Sequence, residues 1–364
     1  MQIDFHHTAT YVIARYAGFA HRDAETIAYC AQYVDDATNS GTVKFDNGAM
    51  YHRIASAHKA LDYCNFKSLS NHQVWIPFHF LPGNGGLAAG ANPGQNFIEK
   101  IICKPDSYVA RQLVDLCIQK QDAQYGLHLL GVTMHVYADT WAHQGFAGVQ
   151  HKVNAITALD DQDNEDQGFL QRIKAKIGDT FESVANSFVG DMLPLGHGAA
   201  LSHPDKPFLS WSYRSHDGTI VRRNNTELFV DAADKMCCAM QRYRVRKTDA
   251  TVPGLSDVQK NTLRNMFMNT PGSSGEDRHK IWLKAIARGD FGFPAQRLEY
   301  RAKDRGSWKF QALGTRRRKD KRGEIFKYDP SFMDSDWKLF HDALQVHRLK
   351  VTRDILPRFG ICAA

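Results

Sequence analysis

His135, Asp139 and His143 stand four residues apart in the run Gly131-Val-Thr-Met-His-Val-Tyr-Ala-Asp-Thr-Trp-Ala-His143. At about 100° per residue they fall within about 80° of one helix surface, and His128 lies about 20° from His135 in the same sector. Neutral imidazole and carboxylate suit zinc and similar divalent ions. An apolar core does not accept such groups unpaired. With seventeen histidines in the chain, hydrogen-bonded core histidines are the bland alternative, but the third member of the series favours a metal. Leu127, Leu130, Met134, Tyr137 and Trp141 form a neighbouring apolar sector, so the ligand stripe borders the core. Gly131, Ala138 and Ala142 lie between the two sectors and leave room for another helix to bring further donors.

Those donors are sought on the first two helices. Over 5–17, Ala9, Val12, Ile13, Tyr16 and Ala17 define an apolar face that includes His6, whereas His7 points about 100° away. Over 22–38, Ala24, Ile27, Ala28, Ala31 and Val34 face inward with Asp35 near their centre and Asp36 rotated out. A carboxylate in an apolar seam needs a cation or a strong donor. His6 and Asp35 are therefore the candidates, with His7 and Asp36 as solvent-side or outer companions. His79 sits among Trp75, Phe78 and Phe80 and is read equally as a ligand or a packed aromatic neighbour. His197, in Gly196-His-Gly198, ranks above His203 as a ligand or proton-transfer group, and Asp205 follows in the same Pro-containing loop. The expected metal ligands are thus His6, Asp35, His79, His128, His135, Asp139 and His143, with Asp35 and His197 as catalytic candidates.

The elements that must position these groups read as helix after helix: 5–17, 22–38, 50–63, 106–121, 122–146, 169–190, 225–243, 255–268, 277–288 and 334–355. Val74–Pro82 reads as extended and 83–94 as a loop. Strand signals are few, at Phe208–Tyr213 and within Lys309–Lys327. The fold expected is an all-α multi-helix bundle with long loops and a small β element near the C-terminal third. Residues 1–300 would form a helical metal-binding catalytic domain, and 301–364 a basic segment and C-terminal helix packed on the same domain.

At 364 residues, 43% hydrophobic and 23% charged, the chain has the composition of a soluble globular protein. It shows no membrane-length apolar run and no secretory leader, and its seven scattered cysteines favour free thiols, so a cytoplasmic setting is the default, with signal-less export left open. Arg316-Arg-Arg-Lys-Asp-Lys-Arg322 reads as a solvated loop that could assist capture of an anionic substrate. Without interleaved aromatics it does not indicate nucleic acid. The acidic run 159–166 lacks the order of a calcium loop.

The His135, Asp139, His143 element, with His6 and Asp35 upstream, resembles the helical zinc-dependent phospholipase C and single-strand nuclease superfamily. The opening Asp4-Phe-His-His-Thr-Ala-Thr10, with Ala14 and Ala17-Gly18-Phe19, looks like the start of an uncharacterised bacterial family related to it. The resemblance covers about 4–145 and the Gly-His-Gly loop. It implies one to three divalent ions, zinc first with manganese or iron as alternatives, acting on an anionic phosphoester or phospholipid. There Asp35 would bridge ions or orient water, and His197 would protonate the leaving alkoxide. Secreted members of that superfamily place a processed α-amino group on a metal and often have Pro before the last His. This chain shows no cleavage signal, and it has Ala142.

The expected activity is metal-dependent phosphodiester hydrolysis of phospholipase C type. A nuclease, an HD-type phosphohydrolase built on His341-Asp342 and Asp354, and a non-catalytic helical protein with one structural metal are the alternatives. No GxSxG elbow, P-loop or dinucleotide fingerprint is present.

Overall fold

The computed structural model describes residues 1–58, 68–94, 96–160, 196–272, 274–317, 321 and 323–362. A π-helical turn at Asp4–Ala9 runs into α1 (Thr10–Tyr16), and Gly18, at φ +93°, leads towards α2 (His21–Asp36). A hairpin of β1 (Gly41–Phe45) and β2 (Met50–Arg53) precedes α3 (Ser68–Phe78). The short α4 (Phe97–Ile101), then α5 (Tyr108–Gln119) and α6 (Gly126–Ala142), complete the first half. β3 (Ile156–Asp160), β4 (Ser210–Ser215) and β5 (Ile220–Asn224) form an antiparallel sheet. Then come α7 (Asn225–Val245), α8 (Asp257–Met268), α9 (Gly275–Arg288) and α10 (Trp308–Leu313). β6 (Ile325–Phe326) joins β1 in parallel, and α11 (Asp336–Lys350) passes into a second π-helical turn, Val351–Ile355.

Helix dominates, but the all-α expectation is corrected by two three-stranded sheets, β2-β1-β6 and β3-β4-β5. The strand signal at Phe208–Tyr213 corresponds to β4, and the one within Lys309–Lys327 shrinks to β6, with α10 occupying 308–313. The helix expected over 50–63 begins as β2, because Asn47-Gly48 reverses the chain and Ala49 donates its N–H to Asn47 Oδ1 at 2.9 Å. Val74–Phe78, expected extended, is the last part of α3. Pro77 sits one residue from the helix end, where it stops the helix without having to break it. The helix expected at 169–190, most of the acidic run 159–166, residues 59–63 and part of 316–322 lie outside the described residues.

Several helix starts follow directly from side-chain capping. Ser107, Ser274 and Ser335 each accept a backbone N–H in the first turn, and Ser256 forms a full capping box with Gln259.

The core gathers round α6, which is buried along its whole length except at Leu127. Helix α2 crosses one side of it, α5 and α7 others, and α11 covers a further flank. A helix enclosed on all sides is normally apolar all round. Here His135, Asp139 and, just past the last turn, His143 interrupt that rule, and all three are buried. The expected close approach is found at Gly131, where an added Cβ would run into Cys30 Cβ and the Ile27 carbonyl oxygen of α2. That contact fixes the separation of the two helices that carry Asp35, His135 and Asp139. Gly131→Ala should therefore lower stability by about 1–3 kcal/mol, as overpacking does, and equilibrium denaturant unfolding measures it; an unchanged midpoint would mean that α2 and α6 are not held this tightly.

Candidate metal centre

Residues four apart on a helix are about 6 Å apart along its axis, so His135, Asp139 and His143 are strung out with Asp139 in the middle. Asp139 is buried, and each of its oxygens looks towards several nitrogens. Oδ1 is 2.7 Å from the Met1 nitrogen and 3.1 Å from His6 Nε2. Oδ2 is 3.3 Å from His135 Nε2 and 3.4 Å from His79 Nδ1. Asp35, on the last turn of α2, brings Oδ1 to 3.8 Å from His79 Nδ1 and 3.9 Å from His135 Nε2. On the other side of Asp139, His143 Nε2 and His197 Nε2 are each 3.6 Å from an Asp205 oxygen.

The backbone decides which nitrogen of each ring faces the centre. His135 Nδ1 is 2.7 Å from the Ala31 carbonyl oxygen, His79 Nε2 is 2.8 Å from that of Ser56, and His143 Nδ1 is 2.6 Å from that of His79. His197 Nδ1 is 2.9 Å from the Leu201 carbonyl oxygen. A carbonyl only accepts, so each of these nitrogens must carry the hydrogen. In the neutral ring the other nitrogen then presents a lone pair. This is the outer-shell arrangement that orients imidazole ligands on metals.

The consequence is sharpest between His79 and His135. Their inward nitrogens are 3.3 Å apart, and both stand 3.3–3.4 Å from Asp139 Oδ2. With His79 neutral, three electron-rich atoms thus form a nearly equilateral triangle; against burial, Asp139 and Asp35 raise the His79 ring, so a proton on Nδ1 takes that place when no ion does. Bonds of about 2.0–2.1 Å in a tetrahedral zinc site give a ligand–ligand edge of about 3.3–3.4 Å. The donors present fit a divalent ion in chemistry and in spacing. Two further groups, His6 with Asp35 and His135, and His143 with His197 and Asp205, also bring their donor atoms within 4.8 Å of one another.

The charges respond to this crowding. Burial alone would push the Asp139 carboxyl up, but His143, the Met1 amino group, His135 and His6 hold it well below the usual range. Asp205 is depressed too; burial opposes this, and the amino group and His197 outweigh it. Burial raises Asp35 against the pull of His135 and His79. The Met1 amino group, 3.1 Å from Asp205 as well, is driven up to about 11, the carboxylates outweighing burial. Burial lowers His197 to about 4, so its ring is neutral at pH 7.

Two arginines brace the periphery. Arg278, buried, donates to Asp4 at 2.6 Å, to the Gly272 carbonyl at 2.8 Å and to Gln2, and so holds the segment that carries His6. Arg223 donates to the Ala142 carbonyl at 2.9 Å and to that of Gln144, satisfying the end of α6 on either side of His143. Its guanidinium lies over the rings of Phe146, Trp211 and Tyr213. Gly196, at φ +56°, packs directly on the Phe80 ring, which stacks on His143 at 4.4 Å.

His6, Asp35, His79, His135, Asp139, His143 and His197 are therefore brought together. His128 is not: it pairs with Asp336 on α11 at 2.8 Å. Sharing a helix sector with His135 left it seven residues, about 10.5 Å, along the axis. His7, expected on the solvent side, is fully buried, with Nδ1 2.8 Å from His279 Nε2, because α9 packs over that face of an N-terminal turn that is buried all round. Asp36, half-buried, accepts from Tyr300 at 2.6 Å. His203 turns Nδ1 to the Ala200 carbonyl. Asp205 and the Met1 nitrogen were missed as donors, since neither lies on a helical stripe.

The HD reading does not hold. His341 is buried against Trp337, Asp342 accepts from Tyr51 and pairs with Lys338, and Asp354 pairs with Lys350.

Comparison with known proteins adds one finding. Residues 1–355 match a family described as DUF6765, family of unknown function. The chain belongs to that family. No curated protein and no solved structure matches it.

Buried neutral histidines outside the centre make stability acid-sensitive. Burial lowers His341 to about 3 and His347 to about 4. Between those values and the unfolded value of about 6.5 the unfolded chain binds more protons, so stability falls as pH falls through that window. Urea midpoints measured from pH 7.5 to 4.5 should decline below pH 6.5, with a shallower slope in His341→Gln; a flat profile would contradict the burial described here.

Proposed function

We propose that this protein is a metal-dependent phosphoric ester hydrolase of phospholipase C type, working on a His/Asp-held cluster of one to three divalent ions, zinc by preference. The triangle of His79 Nδ1, His135 Nε2 and Asp139 Oδ2, with edges of 3.3–3.4 Å, carries this reading. Such ions, when bound, lower the pKa of a water ligand towards about 7 and neutralise phosphoryl oxygens. Asp139, central and ionised, would connect neighbouring sites through its two oxygens. Asp35 has a side chain one-third exposed and lies at the opening, where its carboxylate can orient an attacking water. His197 is neutral with its Nε2 lone pair inward, which suits a ligand better than the proton donor expected from the sequence. No described helix is long and apolar enough to cross a membrane, and a substrate would reach the centre past Asp35, whose side chain is more exposed than that of His197.

A single structural ion is the second reading, favoured by the depth of His135 and Asp139, whose side chains are 0% and 1% exposed. Metal analysis together with turnover separates the two. Purified protein should carry two or three equivalents of zinc or manganese and hydrolyse bis-p-nitrophenyl phosphate. His135→Ala and Asp139→Asn should each reduce that rate by more than about 100-fold while losing metal. Turnover abolished by chelation and restored by zinc supports the hydrolase. One tightly held ion, unfolding on chelation and no turnover would establish the structural role instead.

A further inference from the structure

A second polar concavity lies one layer behind the metal centre, between β2, α3 and α11. It encloses a volume of about 380 Å³ and is lined by His52, Ile54, Gln73, Gln345, Arg348 and Arg353, with Val346, Leu349 and Thr352 completing the wall. This is within the size range of small-molecule sites. It shares no residue with the metal centre. His347, next to Arg348, turns the other way, its Nε2 donating to the Pro77 carbonyl at 2.7 Å and its ring stacked on Phe78.

Three observations bear on what this cavity takes. Its lining holds two arginines and no carboxylate. The acids of the same helical segment are engaged elsewhere: Asp336 with His128, Asp342 with Lys338 and Asp354 with Lys350. Among the described residues, neither arginine side chain has a hydrogen-bond or ion-pair partner, although Arg348 is partly buried and its basicity is drawn down by that burial.

The lining itself supplies the third observation: Arg348, in the last turn of α11, and Arg353, in the π-helical turn that follows, both border the cavity. Gln345 ties this wall to the opposite one, donating to the His52 carbonyl at 2.9 Å.

From two arginines that border one cavity with no carboxylate in its lining we infer a separate binding site for a small molecule bearing a phosphate dianion and a short apolar group. Two guanidinium charges match a phosphate monoester dianion better than a single carboxylate, and their planar forks suit its oxygens. Gln73 and Gln345 supply neutral hydrogen-bonding groups, and Ile54, Val346 and Leu349 receive the apolar part.

Hexylphosphonate, which has no ester bond to cleave, is the probe, titrated at a pH above its second ionisation so that it is a dianion. Calorimetric titration into the metal-loaded wild-type protein should show saturable binding. Arg353→Gln, at an exposed position, should weaken it about tenfold or more with metal content and unfolding midpoint unchanged. Arg348→Met should abolish it, and methylphosphonate should bind more weakly than the hexyl compound. Equal affinity in wild type and Arg353→Gln overturns the proposal, as does binding that survives both arginine changes and vanishes on chelation, which belongs to the metal centre. A parallel arm uses phosphatidylcholine vesicles containing phosphatidic acid: retention on those vesicles without affinity for the soluble phosphonate would replace the small-molecule site with a lipid headgroup site. If Arg348→Met fails to fold, Arg353→Gln alone decides.

Discussion

Four imidazoles each give one N–H to a main-chain carbonyl, and every other feature of the centre depends on that. The acceptors come from α2 (Ala31), from the segment after β2 (Ser56), from the residue just past α3 (His79) and from the turn at Leu201. Once those hydrogen bonds form, ring flips and tautomer changes are closed off, and lone pairs point at one another across little more than 3 Å. Electron-rich atoms so placed repel unless something positive lies among them. The fold holds a preorganised donor set, with the cost of assembling it spread through the packing around α6.

That packing explains why the helices sit so close. Gly131 lets α2 lie against α6, which sets the distance between Ala31 and His135. Arg278 pulls the N-terminal segment onto α9, and Arg223 fastens the end of α6 to the β3-β4-β5 sheet. The small sheets are thus tied to the helical core: one anchors His143, and the other leads through Ile54 to Ser56, the acceptor for His79.

The His/Asp stripe on α6 and the inward faces of His6 and Asp35 were legible because apolar periodicity and an ionisable interruption are local signals, whereas His197 stood out only through its Gly-His-Gly setting. His128 shows where that reasoning fails, since angle around a helix says nothing of distance along it. His7 shows a second failure, because a face turned away from one set of partners need not meet solvent when a distant helix, here α9, covers it. The β1-β2 hairpin carried a readable Asn47-Gly48 signal that the helical pattern of the following residues obscured. Asp205 was recoverable only as an acid trailing a Gly-His-Gly turn. No side-chain pattern marks the Met1 nitrogen, and only the resemblance, with its α-amino group on a metal, pointed towards such a group.

The donors of the centre run from His6 to Asp205 in a chain of 364 residues. A growing polypeptide leaving the ribosome cannot complete this constellation until more than half of it has been synthesised. Earlier capture of a metal could involve only a partial set of histidines and acids, held by whatever helices had by then come together. If the centre takes ions as proposed, full loading would be a late event in the life of the molecule, one that an ion would seal by cross-linking segments about 200 residues apart, the long-loop case in which closure restrains an unfolded chain most.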